Sequence, residues 1–137
     1  MSNNRPEWDS IWMKFALLVA ERSYDPRHQV GAVVVNDDNT QVLAIGYNGN
    51  FAGGPHTPDC TDPGKSGFIH AEINALLKMD FHSPVRKKMY ITLSACLMCA
   101  KAIINAGIKE VVYNEEYRIS DGIDLLIANG ITIRRFG

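Results

Sequence analysis

Four residues in the middle of the chain have side chains that bind metals or carry protons. His70 is followed two positions later by Glu72, and Cys96 and Cys99 come further along the chain. Imidazole and thiolate are ligands that zinc prefers, and three protein ligands leave a fourth position for water, as in catalytic zinc sites. Zinc brings the pKa of such a water close to 7, and Glu72 is placed to move protons without binding the metal. The spacing therefore predicts hydrolysis by an activated water.

Each of these residues also has a plainer interpretation. Cys96 and Cys99 form a Cys-x-x-Cys pair, which is typical of redox sites as well as of metal sites, and two buried small side chains are a further alternative. His70 could be a core histidine, and Glu72 could be a charge that favours the first turn of a helix. The occurrence of His-x-Glu before the cysteine pair favours one catalytic zinc ion.

The remaining cysteine leaves two rival metal sites open. Cys60 and His56 lie in a glycine-rich segment. Either could complete a structural zinc site with four protein ligands, and together with another histidine they could hold a second zinc. We expect Cys60 to be a loop thiol instead, and a second zinc is not expected. His28 and His82 are predicted to be ordinary surface histidines.

Hydrophobic periodicity and turn residues predict the elements that position these side chains. From residue 70 onward helices alternate with strands, which indicates parallel pairing, whereas the first two strands are predicted to pair as an antiparallel hairpin. The segment 48–67 contains five glycines and three prolines and is predicted to be a functional loop. The sequence predicts an α/β fold with a mixed five-stranded sheet flanked by helices. Helices are expected at 7–23, 69–80, 96–106 and 121–129, and strands at 30–35, 41–47, 88–93, 110–113 and 131–134.

The predicted order of elements brings the metal ligands together. A helix, a loop and a strand fit between His70 and Cys96, which returns Cys96 to the edge of the sheet beside His70. Both residues then lie at the N-terminus of a helix, where exposed backbone N–H groups favour thiolate over thiol.

Composition limits the class of protein. The chain has 137 residues, which fits one domain spanning residues 1–137. Its net charge of −1 argues against a polynucleotide partner. An odd number of cysteines, three in all, does not suggest a disulfide scaffold and indicates a reducing cytoplasm. No apolar run resembles a signal core or reaches the length of a membrane helix.

Several segments resemble the cytidine and deoxycytidylate deaminase superfamily, and the likeness is closest to the deoxycytidylate deaminases. It covers nearly the whole chain. The segments are the Trp-Asp-x-x-Trp-Met-Lys-x-Ala helix, Asp25 to Val33, Gly46 to Gly49, His70 to Ala75, Ala106 to Tyr113, and the loop with Tyr117 and Asp121.

The resemblance implies a fold, a cofactor and a reaction. The fold is the three-layer α/β/α arrangement of cytidine deaminases, and the cofactor is one zinc ion held by His70, Cys96 and Cys99. The expected reaction is hydrolytic deamination of dCMP to dUMP and ammonia. Water adds at C4 of the base, and Glu72 carries its proton to N3 and then assists the departing ammonia.

The resemblance also implies contacts to the base. The backbone N–H of Ala71 and the carbonyls of Ser94 and Ala95 are expected to hold the pyrimidine edge. Val30 and Tyr117 are expected to flank the ring. Ala95 stands where the family usually has proline, and we expect the turn to be looser without loss of a ligand.

The sugar and phosphate need their own partners. Asn48 is expected to bind the sugar hydroxyl. The first choice for the phosphate is Arg27, just before the first strand, followed by Lys78 and Arg118. The family forms homo-oligomers from dimers to hexamers, and dCTP and dTTP are candidate effectors. The loop 51–68 is shorter than in many members, which argues against that regulation.

Other activities remain as alternatives. The substrate could be dCTP, cytidine, guanine or tRNA adenosine. The tRNA enzymes share His-Ala-Glu and Cys-x-Met-Cys but usually have a more basic surface, and Asn74 together with Gly-Tyr-Asn-Gly favours a nucleotide. A non-catalytic zinc-binding protein has no need of Glu72, and a redox protein using Cys96 and Cys99 would bind no zinc.

Overall fold

A computed structural model describes residues 4–137 of the chain. Within that range the helices are α1 (Trp8–Ala20), α2 (Ala71–Lys78), α3 (Leu97–Asn105) and α4 (Asp121–Ala128). The strands are β1 (Gly31–Asn36), β2 (Val42–Tyr47), β3 (Lys87–Leu93), β4 (Ile108–Glu115) and β5 (Thr132–Arg135). Each element predicted from the sequence is present, with bounds that differ by a few residues. In the same range, no helix combines the length and the apolar character that crossing a membrane requires.

The strands form one mixed sheet in the order β2-β1-β3-β4-β5. Strand β1 pairs antiparallel with both β2 and β3, while β4 pairs parallel with β3 and with β5. The predicted hairpin, the predicted parallel pairing after residue 70 and the five-stranded mixed sheet are all confirmed.

Helices cover both faces of this sheet. Because side chains alternate between the two faces of a strand, Val33 and Val35 of β1 pack with α1. Ala32 and Val34 point to the opposite face, where they pack with residues of α2, α3 and α4. The result is the three-layer α/β/α arrangement expected from the resemblance, and β1 is buried along its whole length.

A polar cluster ties the first helix to the last strand. Arg134 of β5 contacts Asp9 of α1 at 2.6 Å and Glu110 of β4 at 2.6 Å. The hydroxyl of the buried Tyr90 donates to the same Asp9 carboxylate at 2.5 Å. These bonds fasten α1 across one face of the sheet.

The segment between β2 and α2 is the predicted loop. Close to the start of α2, Gly49 and Ile69 at the two ends of this loop form an isolated antiparallel bridge. Further along, the backbone N–H of Asp59 donates to the carbonyl of Ser66 at 2.7 Å, which closes residues 59–66 into a compact turn.

Candidate active site

The three predicted metal ligands meet where two helices begin. His70 immediately precedes α2 and Cys96 immediately precedes α3, whose first turn contains Cys99. The His70 Nδ1 atom lies 3.1 Å from the Cys99 Sγ and 3.4 Å from the Cys96 Sγ. The convergence predicted from chain topology is therefore present in the structure.

The donor set fits zinc in its chemistry and in its spacing. The one nitrogen and two sulfur ligand atoms all lie within 4.8 Å of one another. Bond lengths to zinc of about 2.0–2.3 Å place tetrahedral ligands within such distances of each other. His70, Cys96 and Cys99 would hold the ion, and they leave one coordination position for a small molecule.

The rival metal sites have no ligand set in the described part of the chain. Among residues 4–137, no other group of three or more histidine, cysteine or acidic side chains is placed to hold a metal. The Cys60 sulfur instead accepts the backbone N–H of Asp62 at 3.4 Å. The His56 ring stacks on Tyr24 with centroids 4.2 Å apart. The expectation that Cys60 is a loop thiol agrees with this placement.

Hydrogen bonds and burial shift the pKa values of the three predicted ligands in different directions. The pKa of Cys96 falls to about 4, chiefly because it accepts a hydrogen bond from the Cys99 side chain. The pKa of Cys99 is raised, chiefly by that same bond and then by burial. The hydrogen bond to Cys96 also raises the pKa of the His70 imidazole. A cation that binds these donors replaces their shared protons, because metal ligands bind in their deprotonated forms.

Glu72 lies beside the ligands and away from solvent. It is the second residue of α2, and its side chain is almost fully buried at 4% exposure. Burial raises the pKa of its carboxyl above the ordinary value. A carboxyl whose pKa moves toward neutrality is suited to take up and release protons during a reaction.

A cavity of about 280 Å³ opens above this group. Most residues predicted to bind substrate contribute to its wall: Arg27, Val30, Asn48, Ala71, Ser94 and Tyr117. The same wall includes Glu72 and the ligands His70 and Cys96. Glu72, two of the predicted metal ligands and most of the predicted substrate contacts therefore face one common cavity.

Three predicted residues are placed differently. Ala95 is 1% exposed and is not part of the cavity wall. Its carbonyl oxygen lies so close to Gly122 of α4 that a Cβ there would come within 2.1 Å of it. Lys78, in the last turn of α2, is also absent from the wall. The Arg118 guanidinium lies over the Tyr117 ring, 5.3 Å from its centroid, rather than in the wall itself.

Two hydrogen bonds to neighbouring side chains fix the aromatic residue of the wall, Tyr117. The Ser94 hydroxyl accepts the backbone N–H of Tyr117 at 2.6 Å. The Arg118 Nη2 atom donates to the Tyr117 hydroxyl at 3.3 Å. Gly64 of the long loop lies next to this pair, so two loops meet at the rim of the cavity.

Several wall residues were not identified from the sequence. His28, predicted to be an ordinary surface histidine, is exposed but lines the cavity, so that interpretation was incomplete. Loop residues carry no periodic signal, and the Asp-Pro step just before His28 is the one local hint of a fixed turn. The others are Asp25, Asp62, Gly64, Ser66, Phe68 and Leu93.

Comparison with known proteins gives consistent matches. The sequence profile of the cytidine and deoxycytidylate deaminase zinc-binding region matches residues 6–115. The deoxycytidylate deaminase of Homo sapiens is 38% identical to this chain, over 95% of this chain and 80% of the human protein. The deoxycytidylate deaminase of Saccharomyces cerevisiae is 37% identical over 96% of this chain, which spans 46% of the yeast protein.

A solved structure matches the fold over nearly its full length. It is the dCMP deaminase of the cyanophage S-TIM5 in complex with dCMP and dUMP, with a TM-score of 0.83 and 38% sequence identity. The match covers 98% of this chain and 100% of the phage chain.

Proposed function

This chain belongs to the family of cytidine and deoxycytidylate deaminases, and on that basis we propose that it converts dCMP to dUMP and ammonia. The observation that carries the proposal is the meeting of His70, Cys96 and Cys99 with the buried Glu72 at one cavity. A structural zinc site or a redox pair has no use for a carboxylate in that position. The cyanophage relative, whose structure contains dCMP and dUMP, supports the choice of substrate.

The chain's own groups account for the proton transfers. Bound zinc supplies Lewis acidity, which makes water available as hydroxide near neutral pH. Glu72 takes the water proton and delivers it to N3 of the base, so the ring becomes open to attack at C4. The hydroxide then adds to C4, and the Glu72 carboxylate takes the proton of the new C4 hydroxyl group. It passes this proton to the amino group, the C4–N bond breaks, and ammonia leaves as the C4 carbonyl forms. Burial of Glu72 excludes bulk water from these transfers.

The base is proposed to lie between Val30 and Tyr117. The backbone N–H of Ala71 and the carbonyl of Ser94 are proposed to hold the pyrimidine edge, and both residues line the cavity. Ala95 is proposed to act through its carbonyl in the turn before Cys96.

The sugar and phosphate are proposed to lie nearer the rim. Asn48 is proposed to bind the sugar hydroxyl and Arg27 the phosphate, since both line the cavity. Arg118, next to Tyr117 at the rim, is the second choice for the phosphate.

The proposal extends to the whole molecule. Residues 1–137 are proposed to form one deaminase domain, because β5 joins the same sheet although it lies beyond the matched residues 6–115. Reduced thiol ligands support a cytoplasmic location. Assembly into homo-oligomers is proposed, and the exposed Leu97 and Met98 beside the site support it.

A substrate panel with ammonia detection tests the function. The pure zinc-loaded protein is incubated with dCMP, dCTP, cytidine and guanine, with and without dCTP or dTTP as effectors. We expect release of ammonia from dCMP at the highest kcat/KM. Faster turnover of another base would contradict the substrate assignment, and no turnover of any base at full zinc content would contradict the enzyme assignment.

A further inference from the structure

The amide of Asn48 is held in one orientation by three hydrogen bonds within the protein. Its Oδ1 atom accepts the backbone N–H of Val30 at 2.8 Å. Its Nδ2 atom donates to the carbonyl of His28 at 2.8 Å and to the Oδ2 atom of Asp25 at 3.1 Å. Asn48 is 6% exposed and forms part of the cavity wall.

These bonds determine what Asn48 can offer to a ligand. An amide has two N–H donors and one oxygen with two lone pairs. Both donors are used within the protein, and one lone pair of Oδ1 is occupied by Val30. What remains for a ligand is an acceptor, which suits a hydroxyl group and not a second acceptor.

Val30 and His28 hold this orientation through their backbone, and Asp25 is the partner that holds it through a side chain. If the Asn48 amide turned over, its oxygen would face the Asp25 carboxylate, and two acceptors would then oppose each other. The other carboxylate oxygen of Asp25 accepts the backbone N–H groups of Arg27 at 2.8 Å and His28 at 3.4 Å. One carboxylate therefore holds both the amide of Asn48 and the turn that carries Arg27.

We propose that Asp25 is a positioning residue for the sugar of the substrate. It keeps an acceptor of Asn48 directed at the 3′-hydroxyl of the deoxyribose and so increases the affinity for the nucleotide. It takes no part in the proton transfers of Glu72. This inference rests on the proposed function, because it assigns a sugar-bearing substrate to the cavity.

The test compares dCMP with 2′,3′-dideoxycytidine monophosphate, which lacks the 3′-hydroxyl. For the wild-type holoenzyme we expect the KM of the dideoxy compound to be about tenfold higher, the effect of losing one good hydrogen bond. In Asp25→Asn the new NH₂ group faces either the Asn48 Nδ2 donor or the backbone N–H of Arg27, so one pair of donors is opposed in each orientation. We expect its KM for dCMP to rise about tenfold, so that the two substrates become equivalent, with kcat within about twofold of wild type.

Two further variants make the result specific. Asp62→Asn removes the same charge from the same cavity wall but leaves every hydrogen bond of Asn48 in place, and we expect it to retain the preference for dCMP. Asp25→Ser can still accept the N–H of Arg27 but cannot reach Asn48, and we expect it to lose the preference. The Asp25→Ser variant is also used for the test if Asp25→Asn does not fold, as judged by zinc content and thermal unfolding.

The outcomes separate this inference from the proposed function. If Asp25→Asn keeps the wild-type preference for dCMP, Asp25 acts as a turn cap and the inference is wrong. A wild-type enzyme that deaminates both compounds with equal KM also overturns it, while leaving the deaminase function intact. A wild-type protein that releases no ammonia from dCMP overturns both.

Discussion

The side chains of the proposed active site differ in how far they are exposed to solvent. Glu72 is buried, whereas His70 keeps an exposed face and Cys96 is half-buried at the cavity wall. The proposed proton carrier is therefore kept away from bulk water, while His70 and Cys96 face the cavity. Two predictions at the scale of single residues follow from this arrangement.

The first prediction concerns Glu72→Gln. Glutamine keeps the shape of the side chain but cannot carry a proton, so we expect ammonia release to fall by about 10²–10⁴-fold. Zinc content should remain at the wild-type level, because Glu72 is not a ligand. The measurement pairs ammonia release with elemental analysis of zinc, and Glu116→Gln, on an exposed residue, is the control. Substantial residual turnover in Glu72→Gln would refute the proton-carrying role.

The second prediction concerns Arg27→Ala. If Arg27 binds the phosphate, its loss removes a charge-assisted hydrogen bond, and the KM for dCMP should rise about 10–100-fold. Deoxycytidine has no phosphate, so its kcat/KM should be unchanged. Lys78→Ala, outside the cavity wall, is the matched control. An equal loss for nucleotide and nucleoside would show that Arg27 shapes the loop rather than binding the phosphate.

At the scale of elements, helix α2 places the site by lying very close to the sheet. A Cβ on Gly46 of β2 would come within 2.4 Å of the Ala71 carbonyl oxygen and 2.5 Å of the Ala75 nitrogen. The Asn74 side chain donates to the Tyr47 carbonyl at 2.8 Å, which fixes the helix along the strand. The absence of a side chain at Gly46 therefore determines where the first turn of α2 lies.

Gly46→Ala should displace that turn. Because the neighbours are backbone atoms that cannot move aside, we expect a loss of about 1–3 kcal/mol in the free energy of unfolding. Zinc should also be lost more readily to a competing chelator, since His70 moves with α2. Gly49→Ala is the control, since a Cβ there meets nothing closer than 3.8 Å. Wild-type stability in Gly46→Ala, measured by urea denaturation, would contradict this account.

The sequence predicted the elements well because their signals are local. The buried Val-rich run of β1 and the spacing of apolar residues in α1 act over a few residues, and the structure confirms both. The strand order was not predicted, because the antiparallel pairing of β1 with β3 joins residues far apart in the chain. The cavity wall was predicted in part, since Asp25, His28 and Asp62 are placed by loop hydrogen bonds that leave no periodic pattern.

At the scale of the whole molecule, the cluster of Asp9, Tyr90 and Arg134 joins residues that are 125 positions apart. The hydrogen bond from Arg134 is the largest effect that lowers the pKa of the Asp9 carboxyl below its ordinary value of 3.8. A carboxyl with a lowered pKa in the folded state stabilises the fold above its ordinary pKa. That contribution is lost as the pH falls through the lowered value.

Asp9→Asn should therefore reduce stability in a pH-dependent way. At pH 7 we expect the free energy of unfolding to fall by about 1 kcal/mol, since the pair is partly exposed. The difference from wild type should shrink below about pH 4. Urea denaturation at pH 7 and pH 3 measures it, and Asp37→Asn, in an exposed pair with Arg86, should change stability by less than about 0.5 kcal/mol. A gap that is equal at both pH values would contradict the assignment.

The rim of the cavity is made by connecting segments, while its floor is made by the starts of packed helices. Loops tolerate substitution and insertion far better than packed elements do. Substitutions in residues 59–67 or 23–29 can thus change which molecules enter the cavity, while the residues at its floor stay the same. Divergence in this scaffold should accumulate at the entrance, and new specificities can arise there without rebuilding the chemistry.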